Sequence, residues 1–217
     1  LAMLSKYRNG GSQARNFDDP SAAALAEHVR KRYESALRAA NAVDFDDLIL
    51  LTLRLFEEHP EALEACRDHY RFVMVDEYQD TNASQFRLVH HLAAQHLNLC
   101  VVGDDDQSIY GWRGAEIANL LELERYFPTV KIIKLEQNYR SQGVILDAAN
   151  AVIAQNKSRL GKNLWTDGAE GEPISVYAGF NDLEEARYIV DTIKEKVNEG
   201  FNRRDVAILY RSNAQSR

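Results

Sequence analysis

Long apolar runs are missing from this 217-residue chain. No stretch of about 18 or more apolar residues occurs, which excludes an ordinary membrane-spanning helix. Leu1 to Gly11 lack the charged-then-apolar layout of a signal peptide, so the chain is expected to be soluble and cytoplasmic. Cysteine is scarce: Cys66 and Cys100 show no metal spacing and no disulfide framework, which suits a reducing compartment. Cys100 sits in an apolar strand pattern and reads as core. Internal repeats and low-complexity segments are absent. An excess of positive charge is also lacking, since the net charge is −7 and the pI about 5.4, which argues against coating nucleic acid by bulk electrostatics. The chain begins at Leu1 without Met and ends just after a predicted strand, as an excised piece of a longer protein would.

What is present is enough to build a core. Apolar residues make up 45% of the chain, which allows one or two domains. Acidity is concentrated in the middle: residues 72–136 hold 5 basic and 10 acidic groups, against 10 and 12 in residues 1–71 and 11 and 11 in residues 137–217. The first 20 residues have no clear period, and Asn9 to Ser12 reads as a loop. Leu25, Val29, Tyr33, Leu37 and Ala40 fall at helical spacing over residues 21–42. Asp44 is placed to cap a second helix ending near His59 and Pro60, with a third over Pro60 to His69. From Arg71 the pattern changes. Strands are predicted at 71–75, 97–102, 130–135, 174–179 and 205–210, alternating with helices at 82–96, 115–127, 142–156 and 183–199. Such alternation indicates βαβ units and a parallel sheet. Asn181 and Glu184 read as a capping box for the last helix, Ala186, Ile189, Val190, Ile193 and Val197 as its core stripe, and Gly200 as its stop.

Three of these strand ends carry chemistry. In open parallel sheets the ligand crevice lies outside the carboxyl ends of the strands. The first strand gives out into Val75-Asp76-Glu77-Tyr78-Gln79-Asp80. Asp76 has the chemistry to hold a divalent cation, and Glu77 to take a proton from an attacking water; the bland alternative is an acidic turn that solubilises a strand end. Gln79 and Asp80 read equally well as caps of the helix starting near Asn82. The second strand ends in Gly103-Asp104-Asp105-Asp106-Gln107-Ser108-Ile109-Tyr110-Gly111-Trp112-Arg113-Gly114-Ala115. Three consecutive aspartates do not match the alternate spacing of an EF-hand, so they are expected to close a tight turn. Tyr110 and Trp112 offer faces for stacking unpaired bases, and Arg113 a phosphate or cation-π contact; otherwise Trp112 plugs a hydrophobic gap. The third strand ends in Glu136-Gln137-Asn138-Tyr139-Arg140-Ser141, with Ser141 as N-cap and Arg140 either functional or paired with Glu136. Trp165 and the basic residues Lys157, Arg159 and Lys162 read as a DNA track or as a solvated loop.

Taken together, these three segments resemble motifs II, III and IV of the UvrD/Rep/PcrA family of superfamily-one DNA helicases, in family order and spacing. Residues 159–168 and 210–217 resemble the bacterial members. The likeness is good over residues 44–217 and loose over 1–43. It implies an α/β fold with RecA-like parallel sheets of the P-loop NTPase type, flanked by helices and preceded by a helical subdomain segment. Residues 1–70 would be the end of that insertion and its return, 71–138 the later part of the first RecA-like domain, and 139–217 the start of the second.

The resemblance also implies roles. Asp76 would bear on Mg²⁺ and Glu77 would orient and deprotonate the hydrolytic water. Gln107 would sense the γ-phosphate of ATP, Tyr139 would stack on adenine, and Arg140 would reach the γ-phosphate as an arginine finger. Tyr110, Trp112 and Arg113 would meet single-stranded DNA. The activity implied is ATP-driven 3′-to-5′ unwinding in repair or replication, acting on single-stranded DNA and single/double-strand junctions, with repair proteins as partners. One departure limits this: no Gly-x-x-x-x-Gly-Lys-Ser/Thr occurs in the 217 residues, Gly161-Lys162 being followed by Asn163, and motifs V and VI are absent. The 217 residues alone are therefore expected to hydrolyse no ATP. A non-hydrolysing nucleic-acid-binding or interaction module on the same scaffold is the alternative reading.

Overall fold

The structure, a computed structural model, describes residues 2–10, 20–157, 159–212 and 215, and of residues 2, 3, 20 and 113 the backbone alone. Four helices open the chain: α1 (Ala2–Asn9), α2 (Pro20–Ala39), α3 (Phe45–Glu58) and α4 (Pro60–His69). The entry to α3 is set locally. Asp44 is extended (φ −101°), its carboxylate accepts from the Asp47 amide at 2.8 Å, and the Asp47 carboxylate accepts from the Asp44 amide at 3.2 Å, a reciprocal capping box. Pro60 opens α4, where its missing N–H costs nothing. Both helices match the expected ranges.

α1 was not expected, because its first turns carry no amphipathic period. Tertiary contacts hold it instead. The Arg8 side chain is 97% buried, donates to Asp44 at 2.7 Å and pairs with Asp47, so the acids that cap α3 also receive α1. Burial alone disfavours the guanidinium charge, but Asp44 and Asp47 outweigh it and raise the Arg8 pKa. Of the loop expected over residues 9–12, Asn9 closes α1 and residues 11 and 12 lie outside the described residues. Among the α2 side chains described, Ala26 is buried, whereas Leu25 and Val29 of the expected stripe face outward.

The sheet is smaller than expected. Among the described residues two strands pair, β1 (Val73–Val75) and β2 (Leu99–Val101), in parallel and in the register Val73 to Leu99, Met74 to Cys100, Val75 to Val101. The crossover between them is α5 (Ala83–Ala93), capped reciprocally by Asn82 and Gln85. Val73, Val75, Leu99 and Val101 point to one face and pack on a core of Tyr78, Ala93, Leu123 and Phe127. Met74 and Cys100 point to the other, bare face, so Cys100 is exposed rather than core. The period of two separates them: a strand reading fixes which residues share a face, not which face is covered.

The stretches 130–135, 174–179 and 205–210 form no strand; Ile133, Leu135, Val176 and Leu209 are 68–94% exposed. A strand is stabilised across its ladder, and among the described residues none of the three forms one; just past the first, Gln137 and Trp165 make only an isolated parallel bridge. The helix expected over 115–127 is divided into α6 (Ala118–Leu121) and α7 (Leu123–Tyr126) at Glu122, whose backbone (φ −102°, ψ 15°) leaves the helical region. Two longer helices follow, α8 (Gly143–Ile153) and α9 (Asp182–Asn198). Asn181 caps α9 through the Glu184 amide, but the Glu184 carboxylate takes the Phe180 amide instead of completing a box. The expected core stripe of α9 is half-buried at best, and no α9 residue is buried. Gly200 ends the helix at φ +106°, a conformation that favours glycine. Among the described residues no helix is long and apolar enough to cross a membrane.

Candidate functional site

The first strand end is held open by strain. Directly after β1 the backbone of Glu77 turns left-handed (φ +50°, ψ +41°), a sparsely populated region for a residue with a Cβ. The turn sends Tyr78 inward, where it is fully buried and its amide donates to Val102 O at 3.0 Å, and leaves Asp76 and Glu77 exposed. The Asp76 carboxylate accepts from the Glu77 amide at 2.9 Å, so one oxygen braces the turn. Burial pushes the Tyr78 hydroxyl up to about 12, and its oxygen has no hydrogen-bond partner among the described residues. Asp80 is shifted upward as well, first by burial and then by the Glu77 charge.

Gln79 does not cap α5; Asn82 does. At 1% exposure the Gln79 amide would be costly to leave unpaired, and it is satisfied at both ends. Its Nε2 donates to Glu77 Oε2 at 2.7 Å, and its Oε1 accepts from the Asp104 amide at 2.9 Å. Gly103 permits this approach, since a Cβ there would meet Gln79 Oε1 at 3.0 Å. The first and second strand ends are thereby joined. Sequence reasoning missed this role, for which the only signal was the residue's position one turn past the strand.

At the second strand end Asp104 caps a tight turn, Asp105–Gln107, by accepting from the Asp106 amide at 3.0 Å, as the three-aspartate run suggested. Gln107 is exposed and donates from Nε2 to Asp104 Oδ2 at 2.6 Å. A hydrogen-bonded chain therefore runs from Glu77 through Gln79 and Asp104 to Gln107. The three carboxylates can bring their oxygens within 4.8 Å of one another. They face two cations of this chain: Arg159 grips Asp106, and Lys162 contacts Asp104. Arg159 and Lys162 are thus neither a free track nor a solvated loop.

Tyr110 is half-buried and Trp112 is 67% exposed, so Trp112 fills no gap among the described residues. Their rings lie 6.5 Å apart, tilted by 46°, so an aromatic ledge flanks the turn Gly111–Arg113. The Arg113 side chain lies outside the described residues. At the third segment Ser141 is not the N-cap. The Asn138 side chain takes the amides of Arg140 and Ser141 at 2.9 and 2.8 Å, and α8 starts after Gln142. Tyr139 is 85% exposed, its hydroxyl donating to Gln137 at 2.8 Å. Arg140 is exposed and makes no ion pair among the described residues; Glu136 instead accepts from the Asn163 amide at 3.0 Å, which removes the Arg140–Glu136 alternative. No hydrogen bond among the described residues joins Tyr139 or Arg140 to Glu77 or Gln107.

Burial raises the pKa of Asp104, but hydrogen bonds from Lys162 and Gln107 outweigh it and hold the group below its ordinary value of 3.8. Because the folded value is depressed, the stabilisation is present above the unfolded value and lost as pH falls through the folded one. A carboxyl-carbon NMR titration is expected to place the Asp104 midpoint below 3.8, with Lys162→Ala moving it upward. A midpoint unmoved by that change would contradict the assignment.

Comparison with known proteins adds identity to this geometry. A family model described as the UvrD/REP helicase N-terminal domain matches residues 2–128, and one described as the UvrD-like helicase C-terminal domain matches 133–217. The chain is 50% identical over 189 residues to ATP-dependent DNA helicase PcrA of Staphylococcus aureus strain Mu50, covering 87% of this chain and 26% of that protein. It is likewise 50% identical over 189 residues to the protein of that name from Staphylococcus epidermidis strain RP62A, with the same coverage. The chain therefore spans about a quarter of the curated relatives it matches.

Proposed function

The chain belongs to the UvrD/REP helicase family, and we propose that it carries the motif II to IV portion of an ATP-dependent DNA helicase that moves 3′ to 5′ along single-stranded DNA and unwinds duplex. The observation that carries this reading is the chain from Glu77 through Gln79 and Asp104 to Gln107, which ties an exposed carboxylate at one strand end to an exposed amide at the next. A base acting on water and a neutral group reading phosphate need this fixed spacing, because phosphoryl transfer is catalysed mainly by positioning and electrostatics. On this reading Glu77 orients the water and accepts its proton, and Gln107 hydrogen-bonds the γ-phosphate oxygens and can change partner without moving charge. Asp76 keeps an oxygen beyond the one bracing the turn, which fits a Mg²⁺ ion held through one carboxylate and water. Bound with ATP, that ion would neutralise charge developing on the phosphates.

Tyr139 and Arg140 are exposed on the turn before α8, free to stack on adenine and to reach the γ-phosphate from a second domain. An arginine without an ion-pair partner among the described residues suits a finger supplied on closure. Residues 1–70, 71–138 and 139–217 are assigned as a helical insertion and parts of two RecA-like domains. The bare sheet face and the unpaired stretches at 130–135, 174–179 and 205–210 are surfaces that completed sheets would cover. Tyr110, Trp112 and Arg113 provide the stacking and phosphate contacts for single-stranded DNA, junctions included. Action in the cytoplasm with repair proteins accords with this reading. The 217 residues contain no P-loop sequence, so hydrolysis is assigned to the full-length protein.

In the full-length protein Glu77→Gln is expected to keep ATP·Mg²⁺ affinity and lose most DNA-stimulated turnover, read as kcat in a steady-state assay. Parental turnover in the variant would end the base assignment, whereas no turnover in the parent itself would favour a non-hydrolysing module. Trp112→Ala is expected to weaken single-stranded DNA binding by ~1–3 kcal/mol with little sequence dependence, while nucleotide affinity without DNA is kept. Fluorescence titration of a labelled oligonucleotide checks this, and unchanged affinity would remove Trp112 from the interface.

A further inference from the structure

The acid triad at the second strand end is a socket filled by the chain itself. The Arg159 guanidinium meets Asp106 in a two-pronged contact, Nε to Oδ1 at 2.9 Å and Nη2 to Oδ2 at 2.6 Å. Lys162 contacts Asp104 Oδ1 and stands 3.7 Å from Asp106 Oδ2. The Leu160 amide donates to Asp105 Oδ2 at 2.7 Å, so each aspartate is engaged by residues 159–162. These side chains are largely desolvated, with 17% exposure for both cations, 12% for Asp106 and 23% for Asp104. The supplying segment is braced in turn. Arg159 Nη2 donates to Lys162 O at 3.0 Å, and Lys134 Nζ donates to Leu160 O at 3.0 Å and Gly161 O at 2.6 Å. The triad lies in the part of the chain matched as N-terminal domain, and its cations lie in the part matched as C-terminal domain.

Asp104 is where this socket meets the functional chain. One oxygen takes Lys162, the other takes Gln107 Nε2, and its amide is held by Gln79. From this arrangement we infer that Arg159 and Lys162 are positioning residues that clamp the Gln107 loop, which makes the triad a receptor for the protein's own cations and not for a metal ion or a DNA-tracking surface. The inference rests on the proposed phosphate-sensing role of Gln107. Without the cations three carboxylates crowd one turn, and mutual repulsion would open it. Charge-assisted, two-pronged contacts are the stronger and more directional kind, suited to fixing a loop.

The test uses the full-length protein and measures DNA-stimulated kcat, KM for ATP and single-stranded DNA affinity without nucleotide. Arg159→Ala and Asp106→Asn are each expected to lower kcat by about 10-fold or more, in line with the cost of misplacing a positioned group by about 1 Å. The double variant should be no worse than the weaker single one, and DNA affinity without nucleotide should stay within about 2-fold of the parent. Arg159→Lys keeps charge but loses the two-pronged geometry and should fall between. The exchanged pair, Asp106→Arg with Arg159→Asp, should regain part of the lost kcat, which a fold defect would not allow. Parental kcat in both single variants would overturn the clamp, as would a loss of nucleotide-free DNA affinity in Arg159→Ala that Asp106→Asn does not share. Gln107→Ala separates the two readings. If it lowers kcat while Arg159→Ala does not, the clamp alone fails; if Gln107→Ala keeps parental kcat, the sensing role fails and the clamp falls with it.

Discussion

A buried primary amide must pair both its nitrogen and its oxygen or pay heavily for desolvation, and Gln79 does so by bonding forward and back between the two strand ends. Its donor fixes the Glu77 carboxylate and its acceptor fixes the Asp104 backbone, so one side chain ties the Glu77 carboxylate to the loop after the second strand. The parallel pair β1 and β2 brings those ends side by side, and glycine at position 103 lets the amide in. The left-handed turn at Glu77 is held against its intrinsic preference by the buried Tyr78 anchor and by the Asp76 brace. Strain of this kind persists where surrounding contacts over-determine it, and here those contacts are the site's own.

Outward from Gln79 the contacts change from neutral to charged. Asp104 hands the placement on to Gln107 on one oxygen and to Lys162 on the other, and Arg159 and Asp106 close the arrangement. The same physics appears at the other end of the chain, where Arg8 is sunk among Asp44, Asp46, Asp47 and Glu34 and secures a short helix with little apolar pattern of its own. Although the chain is acidic overall, its partly buried acids are matched by placed cations at both sites. Net charge says little about where charge acts.

The sequence made the local features legible and left the distant ones dark. The Asp44 cap, Pro60 at the start of α4 and the Asn181 cap of α9 depend on residues within a few positions, and each is found where expected. Val130 to Leu135, 174–179 and 205–210 have strand-like composition, yet a strand also requires a neighbour, which composition does not supply. Cys100 was misread because alternation does not say which face is covered. The strand-end positions of the motif residues are legible in the sequence, whereas the link made by Gln79 is not, because its partner Asp104 lies 25 residues away. Arg159 and Lys162 stayed ambiguous for the same reason, with partners 53 and 58 residues distant.

The most direct measurement of the central claim is DNA-stimulated ATP hydrolysis by the full-length protein carrying Gln79→Leu, which keeps the buried volume and removes both hydrogen bonds. A fall in kcat of about 10- to 100-fold is expected, the scale for losing the common register of the proposed base Glu77 and the proposed sensor Gln107, with KM for ATP changed far less. Turnover at the parental rate, with Glu77→Gln still impaired, would show that the proposed base needs no link to the second strand end and would contradict the dependence on Gln79.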